Sequence, residues 1–328
     1  MKDLFIDHAK ANIEITVLDD SNRRISIRAK TDDYYIANNE CVTDYPIDLI
    51  KGILDIKGPD YLCDEIFREQ QPQYIQKPLQ YDLLSYIPKE NFTKKRILDF
   101  GCGAGASTVI LARMFPDSEI VGIELENDFL NIARQRAEFY DLQNVTFIVS
   151  PSSADLPNIE RFDFICLNAV YEHLLPDERK YLLPLLWDHL DDEGVLFLRE
   201  TPFRYWHTEG HTTGGLPFLN YLPDRLAHMY TRKSKRRNLE NKSWEALLRA
   251  GIRGGSVGEL LEILSQNKCP NKLLKPSMLE CSDRIDLEYL KVTNRSWKTK
   301  IKYRLQKIIK VTIRYEYVPQ LAIAIQKQ

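Results

Sequence analysis

Three histidines, two carboxylates and a run of glycines are the residues of this chain whose types and spacing point to chemistry. His173, His207 and His211 can each take up a proton near neutral pH, because imidazole titrates near ~6.5. Gly101, Gly103 and Gly105 lie in RILDFGCGAGAST, between a short apolar run and an alanine-rich one, the pattern of a tight turn from a buried strand into a helix. Without a Cβ such a turn can take left-handed angles, and a ligand can come against its peptide groups at the positive end of the helix. Gly101, Gly103 and Ala106 also spell G-x-G-x-x-[G/A], so a dinucleotide and an adenosyl donor both stay open at this point. Glu124, nineteen residues beyond Gly105, is placed to accept both hydroxyls of a ribose in either ligand. Asp155, in SSADLP, suits the exocyclic amine of an adenine.

These residues need a scaffold, and the pattern around them supplies one. Strands at 96–100, 119–123, 145–149, 162–170 and 194–200 alternate with helices at 106–115, 129–140 and 177–190, the last interrupted by Pro184. That rhythm predicts a parallel, doubly wound sheet covered on both faces. Ligands then sit outside the carboxyl ends of the strands. Glu124, Asp155, the NAVYEHL segment and the loop carrying His207 and His211 therefore face one crevice. Residues 1–72 read as an accessory region with a β-hairpin over 12–29, followed by helices at 60–71 and 78–87. Residues 73–200 form the core, and 201–290 a helical cap with its own small core, too long for a plain connection. Within the cap Ser256 and Glu259 have capping-box spacing. Residues 291–328 complete the sheet: a helix packs on it through Trp297, Ile301, Leu305 and Ile308, leaving Lys300, Arg304 and Lys307 to solvent, and strands follow at 309–316 and 320–326.

Composition narrows the class. Apolar content of 44% and charged content of 28% exclude a fibrous or disordered chain. Six cysteines without a C-x-x-C pair are expected as reduced thiols. The first residues lack a signal-peptide core, and no eighteen apolar residues run together, so the expected address is cytoplasmic. The ends differ in sign: residues 1–90 hold 17 acids against 11 bases, and 291–328 hold 10 bases against one acid. A basic end suits nucleic acid, a peripheral contact with an anionic membrane, a phosphorylated substrate, or simply a solvated helix face.

LDFGCGAG, GIELE, SADLP and FDFICLNAVYEHL, in that order and spacing, resemble the class I S-adenosylmethionine-dependent methyltransferases over residues 75–200. The resemblance implies a Rossmann-like α/β sheet of seven strands in the order 3-2-1-4-5-7-6 with an antiparallel last strand, and S-adenosylmethionine as cofactor. By position, Asp99, Gly101, Gly103 and Gly105 would line the methionine and ribose of the donor, Glu124 would hold the ribose, Ala154 and Asp155 the adenine, and Asn168 would flank the sulfonium. HTTGGLPFLNYLPDRLA is similar to a segment of bacterial methyltransferases of the surface-glycan and polysaccharide kind, which implies O-methylation of a carbohydrate or other small-molecule hydroxyl.

Methyl transfer from a sulfonium is an in-line displacement that depends chiefly on alignment. An alcohol must also lose its proton, for which His211 is the first candidate, His207 the second and His173 the third, with Glu209 near enough in sequence to orient one of them. No metal is expected: His207 and His211 are four apart, but Gly210, Gly214 and Gly215 argue against the helix that would align them. The competing readings are a nicotinamide-dependent oxidoreductase, a non-catalytic scaffold of the same fold, and a nucleic-acid methyltransferase suggested by the basic residues at 232–237. The absence of an N-P-P-[YF] tetrapeptide after the fourth strand argues against the last.

Overall fold

Alternating apolar and polar residues near the start build a four-stranded antiparallel sheet of β1 (Leu4–Asp7), β2 (Ala11–Val17), β3 (Arg23–Ala29) and β4 (Glu40–Thr43) in that order, in a computed structural model that describes residues 3–151, 156–234 and 239–328. The expected hairpin is β2–β3, and its turn is fixed by Asp19, which accepts from the Ser21 and Asn22 amides at 2.8 Å each. Ile13, Ile15, Ile25 and Ile27 point to one face, as a period of two requires, and are buried against α1 (Ile47–Lys57) and α2 (Leu62–Gln70). The buried core formed there also takes in Ala104 and Ile132 from the next unit.

The central unit follows as α3 (Gln76–Leu84), β5 (Arg96–Phe100), α4 (Ala106–Met114), β6 (Glu119–Glu124), α5 (Asn127–Phe139), β7 (Val145–Val149), β8 (Phe162–Asn168), α6 (Pro176–Asp188) and β9 (Leu190–Pro202). α6 runs through Pro184 without a break, although an interior proline removes one hydrogen bond. Leu182, Leu183, Leu186 and Trp187 on either side are buried and hold the helix on the sheet. Beyond β9 come a minimal hairpin of β10 (Thr208–Glu209) and β11 (Leu216–Pro217), then α7 (Asp224–Thr231), α8 (Trp244–Arg249), α9 (Val257–Gln266), β12 (Asn271–Leu273), α10 (Arg284–Lys291), α11 (Trp297–Ile313) and β13 (Gln320–Lys327). The sheet order is β7-β6-β5-β8-β9-β13-β12, with β13 antiparallel to β9. In sheet-strand numbering this is the expected 3-2-1-4-5-7-6.

Three placements differ from expectation. The sixth strand is the three-residue β12 rather than 309–316, because α11 continues to Ile313. Residues 309–316 do alternate apolar with polar, but on the helix Val311 and Ile313 are exposed. The α11 stripe is inverted too: Trp297, Ile301, Leu305 and Ile308 are exposed, while Lys307 is half-buried and tied to Asp283 and Asp286 at 2.6 Å each. Within the insertion, Leu219, Ala227, Leu239, Leu247 and Ile252 form the small core of the cap. α9, in contrast, joins the main core through Leu260, Ile263 and Leu264. Ser256 caps α9 by accepting from the Glu259 amide at 3.1 Å, whereas the Glu259 carboxylate pairs with Arg179 at 3.0 Å instead of closing the box. Among the described residues, no helix is long and apolar enough to cross a membrane.

Candidate active site

The turn between β5 and α4 takes left-handed angles at Gly101, Gly103 and Gly105. A Cβ on Gly101 would meet Val170 at 2.6 Å and one on Gly105 would meet Ala133 at 2.5 Å, so both are required by packing. A Cβ on Gly103 would meet nothing within 4 Å. Its amide donates to Glu124 Oε2 at 2.8 Å, and Glu124 Oε1 accepts from the Leu125 amide at 2.7 Å. The carboxylate at the end of β6 is thus held against the one open glycine. Two adjoining cavities meet here. One, of about 320 Å³, is lined by Glu124, Leu125, Ser150 and Val170. The other, of about 450 Å³, is lined by Gly103, Ser107, Asn168, Glu200 and His211, and Tyr61 and Arg68 of the N-terminal unit wall it. Gly101, Ala169 and His173 line both. Ala154 and Asp155 lie outside the described residues.

Asp99 is fully buried beneath this turn and lines neither cavity. It accepts from Ser107 and Thr108 hydroxyls at 2.7 Å each and from Asn168 Nδ2 at 2.6 Å. Burial pushes its carboxyl above the ordinary range, against the pull of those three donors. Its place is therefore structural, bracing the glycine turn and Asn168 rather than facing the crevice. Asn168 in turn accepts from Arg199 at 2.9 Å, and buried Arg199 pairs with Asp82 at 2.9 Å. Lys291 reaches the other oxygen of Asp82 at 2.9 Å. Sequence reading missed this charged chain; an arginine inside the apolar strand GVLFLRE was its only signal. Two lining residues, Ala169 (φ 54) and Glu200 (φ 58), are left-handed without being glycine. Such strain costs of order 1–3 kcal/mol per residue and concentrates at functional sites.

The three histidines separate. His207 is exposed, lies against Trp206 with the rings tilted by 45°, contacts the Tyr317 hydroxyl at 3.3 Å, and lines neither of the two cavities. His173 and His211 come together with ring centroids 5.5 Å apart. His173 donates from Nδ1 to the Arg249 carbonyl at 2.7 Å, which leaves Nε2 as the lone-pair nitrogen of the neutral ring. Glu172 joins them: one ligand-type atom from each of Glu172, His173 and His211 lies within 4.8 Å of the others. Glu172 is buried; Oε2 accepts from Thr201 at 2.9 Å, and Oε1 has no hydrogen-bond partner. Burial, opposed by its own backbone amide and by the Thr201 hydroxyl, pushes its pKa up to about 7. Glu209 does not orient an imidazole. Its buried carboxylate accepts from the Thr212 and Thr213 amides at 2.8 and 2.6 Å and so fixes the turn that presents His211. Gly251 (φ 84) completes the approach, since a Cβ there would meet His211 at 2.8 Å and Glu172 at 3.1 Å. His211 also lines a third cavity of about 290 Å³, between the cap and the ends of β9 and β13, with Pro202, Phe203, Trp206, Arg253 and Gln320. It lines both the cavity beside Gly103 and this third one.

Residues 91–205, which hold the glycine turn, Glu124, Asn168 and Glu172, match the family model of a methyltransferase domain. That segment is a methyltransferase domain of the kind that uses S-adenosylmethionine. A malonyl-[acyl-carrier protein] O-methyltransferase of Bacillus cereus is 28% identical to it over 52% of this chain and 55% of that protein. A trans-aconitate 2-methyltransferase of Methylobacterium radiotolerans is 30% identical over 55% of this chain and 57% of that protein. The chain therefore spans little more than half the length of these relatives. Among solved structures, PKMT2 of Rickettsia typhi in complex with AdoHcy is 15% identical over 77% of this chain and 52% of that one, at a TM-score of 0.45. The matched methyltransferase segment sets aside the dinucleotide alternative, and neither β12, β13 nor the cap beyond residue 205 belongs to it.

Proposed function

We propose that this methyltransferase transfers the methyl group of S-adenosylmethionine to a hydroxyl of a carbohydrate or other small molecule, with His211 as general base. The observation that carries the reading is the position of His211 on two cavities, one beside the glycine turn and one under the cap. When bound, the donor supplies an electrophilic methyl on a sulfonium. The open face of Gly103 leaves room for its ribose, and Glu124 is set to accept the ribose hydroxyls once it gives up the Gly103 amide. Asn168 faces the same crevice, held by Asp99 and Arg199. An acceptor in the cap cavity presents its oxygen across His211. His211 would take up the proton of the acceptor hydroxyl as that oxygen is methylated. A carboxylate acceptor is ionised at neutral pH and needs no base, so the cluster of Glu172, His173 and His211 supports a hydroxyl over a carboxylate.

The test is incubation of the protein with S-adenosylmethionine and panels of carbohydrate hydroxyl and free carboxylate acceptors, read by mass spectrometry for a product one CH₂ heavier. Methylation confined to the carboxylates overturns the reading. A chelator that abolishes turnover moves it instead to a cation held at the same cluster. Tight binding of a reduced nicotinamide with no affinity for S-adenosylhomocysteine overturns the donor itself. At the donor end, Glu124→Ala is expected to weaken S-adenosylhomocysteine binding by roughly 1.5–3 kcal/mol, the range for a hydrogen bond to a charged group. Calorimetric titration checks this, and unchanged affinity removes Glu124 from the site.

A further inference from the structure

α11 inverts the usual arrangement of a surface helix. A soluble helix buries its apolar stripe and offers its charges to water. Here the inner side is polar: Tyr303 donates to Asp286 at 2.8 Å, Gln306 donates to the Tyr317 carbonyl at 2.7 Å, and Lys310 reaches Asp283 at 2.6 Å. Gln306 is the one buried residue of its seventeen. The stripe Trp297, Ile301, Leu305, Ile308 and Val311 faces outward, 45–83% exposed. Lys298, Lys300 and Arg304 flank it, and the helix holds six bases and no acid. The aromatic surface of the cap adjoins it, with Lys302 over the Trp206 ring at 4.9 Å.

We propose that α11 is an interfacial helix that seats the protein on an anionic phospholipid surface, with its apolar stripe at the acyl boundary and the flanking bases on lipid phosphates. Two features select this occupant. A tryptophan-ended apolar stripe between bases, on a helix lacking acids, matches a bilayer surface in both hydrophobicity and charge. A second copy would match the stripe in hydrophobicity but not in charge, because a two-fold pairing of α11 brings the like-charged flanks of both copies together. Nucleic acid would use the bases but leave the apolar stripe without a role. The inference stands on α11 alone and does not depend on the acceptor or the base.

The 328-residue chain is tested by co-sedimentation with vesicles of phosphatidylcholine alone and of phosphatidylcholine mixed with phosphatidylglycerol. Binding is expected only to the anionic vesicles, falling as salt rises. Leu305→Ser/Ile308→Ser and, separately, Lys298→Glu/Arg304→Glu are each expected to weaken it by about tenfold or more. Both variants should keep the thermal midpoint and the S-adenosylhomocysteine affinity of the parent, since these side chains are exposed. Failure of the parent protein to bind anionic vesicles overturns the proposal. So does vesicle binding that survives both pairs of substitutions. A dimer in sedimentation velocity that Leu305→Ser/Ile308→Ser dissolves, without vesicle binding, assigns the stripe to a second copy. A salt-sensitive shift of DNA or RNA lost only in Lys298→Glu/Arg304→Glu, again without vesicle binding, assigns the helix to nucleic acid.

Discussion

Replacing His211 by alanine is expected to lower turnover by about 10²- to 10⁴-fold while the affinity for S-adenosylhomocysteine barely moves. That range is what a positioned general base contributes to a proton transfer, and a group acting only in the transition state lowers kcat and kcat/KM together. The split follows from the geometry. His211 borders the cavity by the glycine turn and the one under the cap, whereas Glu124, the residue proposed to hold the donor ribose, is bound to the Gly103 and Leu125 amides. Turnover against pH for parent and variant decides the matter: an ionisation near neutrality should vanish with the rate. A variant that keeps turnover within a few fold transfers the role to His173, whose Nε2 is already the lone-pair nitrogen. A histidine that merely packs would show itself by a lowered thermal midpoint at nearly full kcat.

The parts of this site that sequence discloses are those in which chemistry and backbone lie within a few residues. The glycine turn and Glu124 sit at ends of strands whose apolar runs are unmistakable, so their meeting follows from parallel β5 and β6. Asp99 is equally local and still faces the other way. Ser107 and Thr108, a turn into α4, are the donors that draw it under the backbone, and polar residues in that position read from sequence as ordinary helix. The cluster of Glu172, His173 and His211 joins positions almost forty residues apart through the return of the cap, and Gly251 of AGIRGG, which permits it, is separated from both by a further stretch. Periodicity marked the stripe on α11 correctly but carries no information on the direction it faces. That was decided by Asp283 and Asp286 on another element, which hold Lys307 and Lys310 inward.

Glu172→Gln separates the carboxyl's work in catalysis from its cost to the fold. The folded-state pKa of about 7 lies above the ordinary 4.5. Between these values the unfolded chain has lost the proton and the folded chain keeps it, so stability falls as pH rises through the window and the full penalty is present above neutrality. At 1.36 kcal/mol per unit the penalty is about 3 kcal/mol. The side chain is 1% exposed, so solvent screening does not reduce it. Glutamine mimics the protonated acid and can still accept from Thr201. The variant is therefore expected to match the parent below pH 4.5 and to exceed it in unfolding free energy by about 3 kcal/mol at pH 8–9, as urea denaturation at the two pH values would read. Turnover should move the opposite way, falling by roughly 10²-fold, the low end for acid–base groups, because the neutral amide cannot stabilise the imidazolium that forms beside it. Donor affinity should hold, since Glu172 lines neither donor-side cavity. A gain of stability at high pH with unchanged turnover would leave Glu172 a buried acid of the fold and return the proton transfer to the histidines alone.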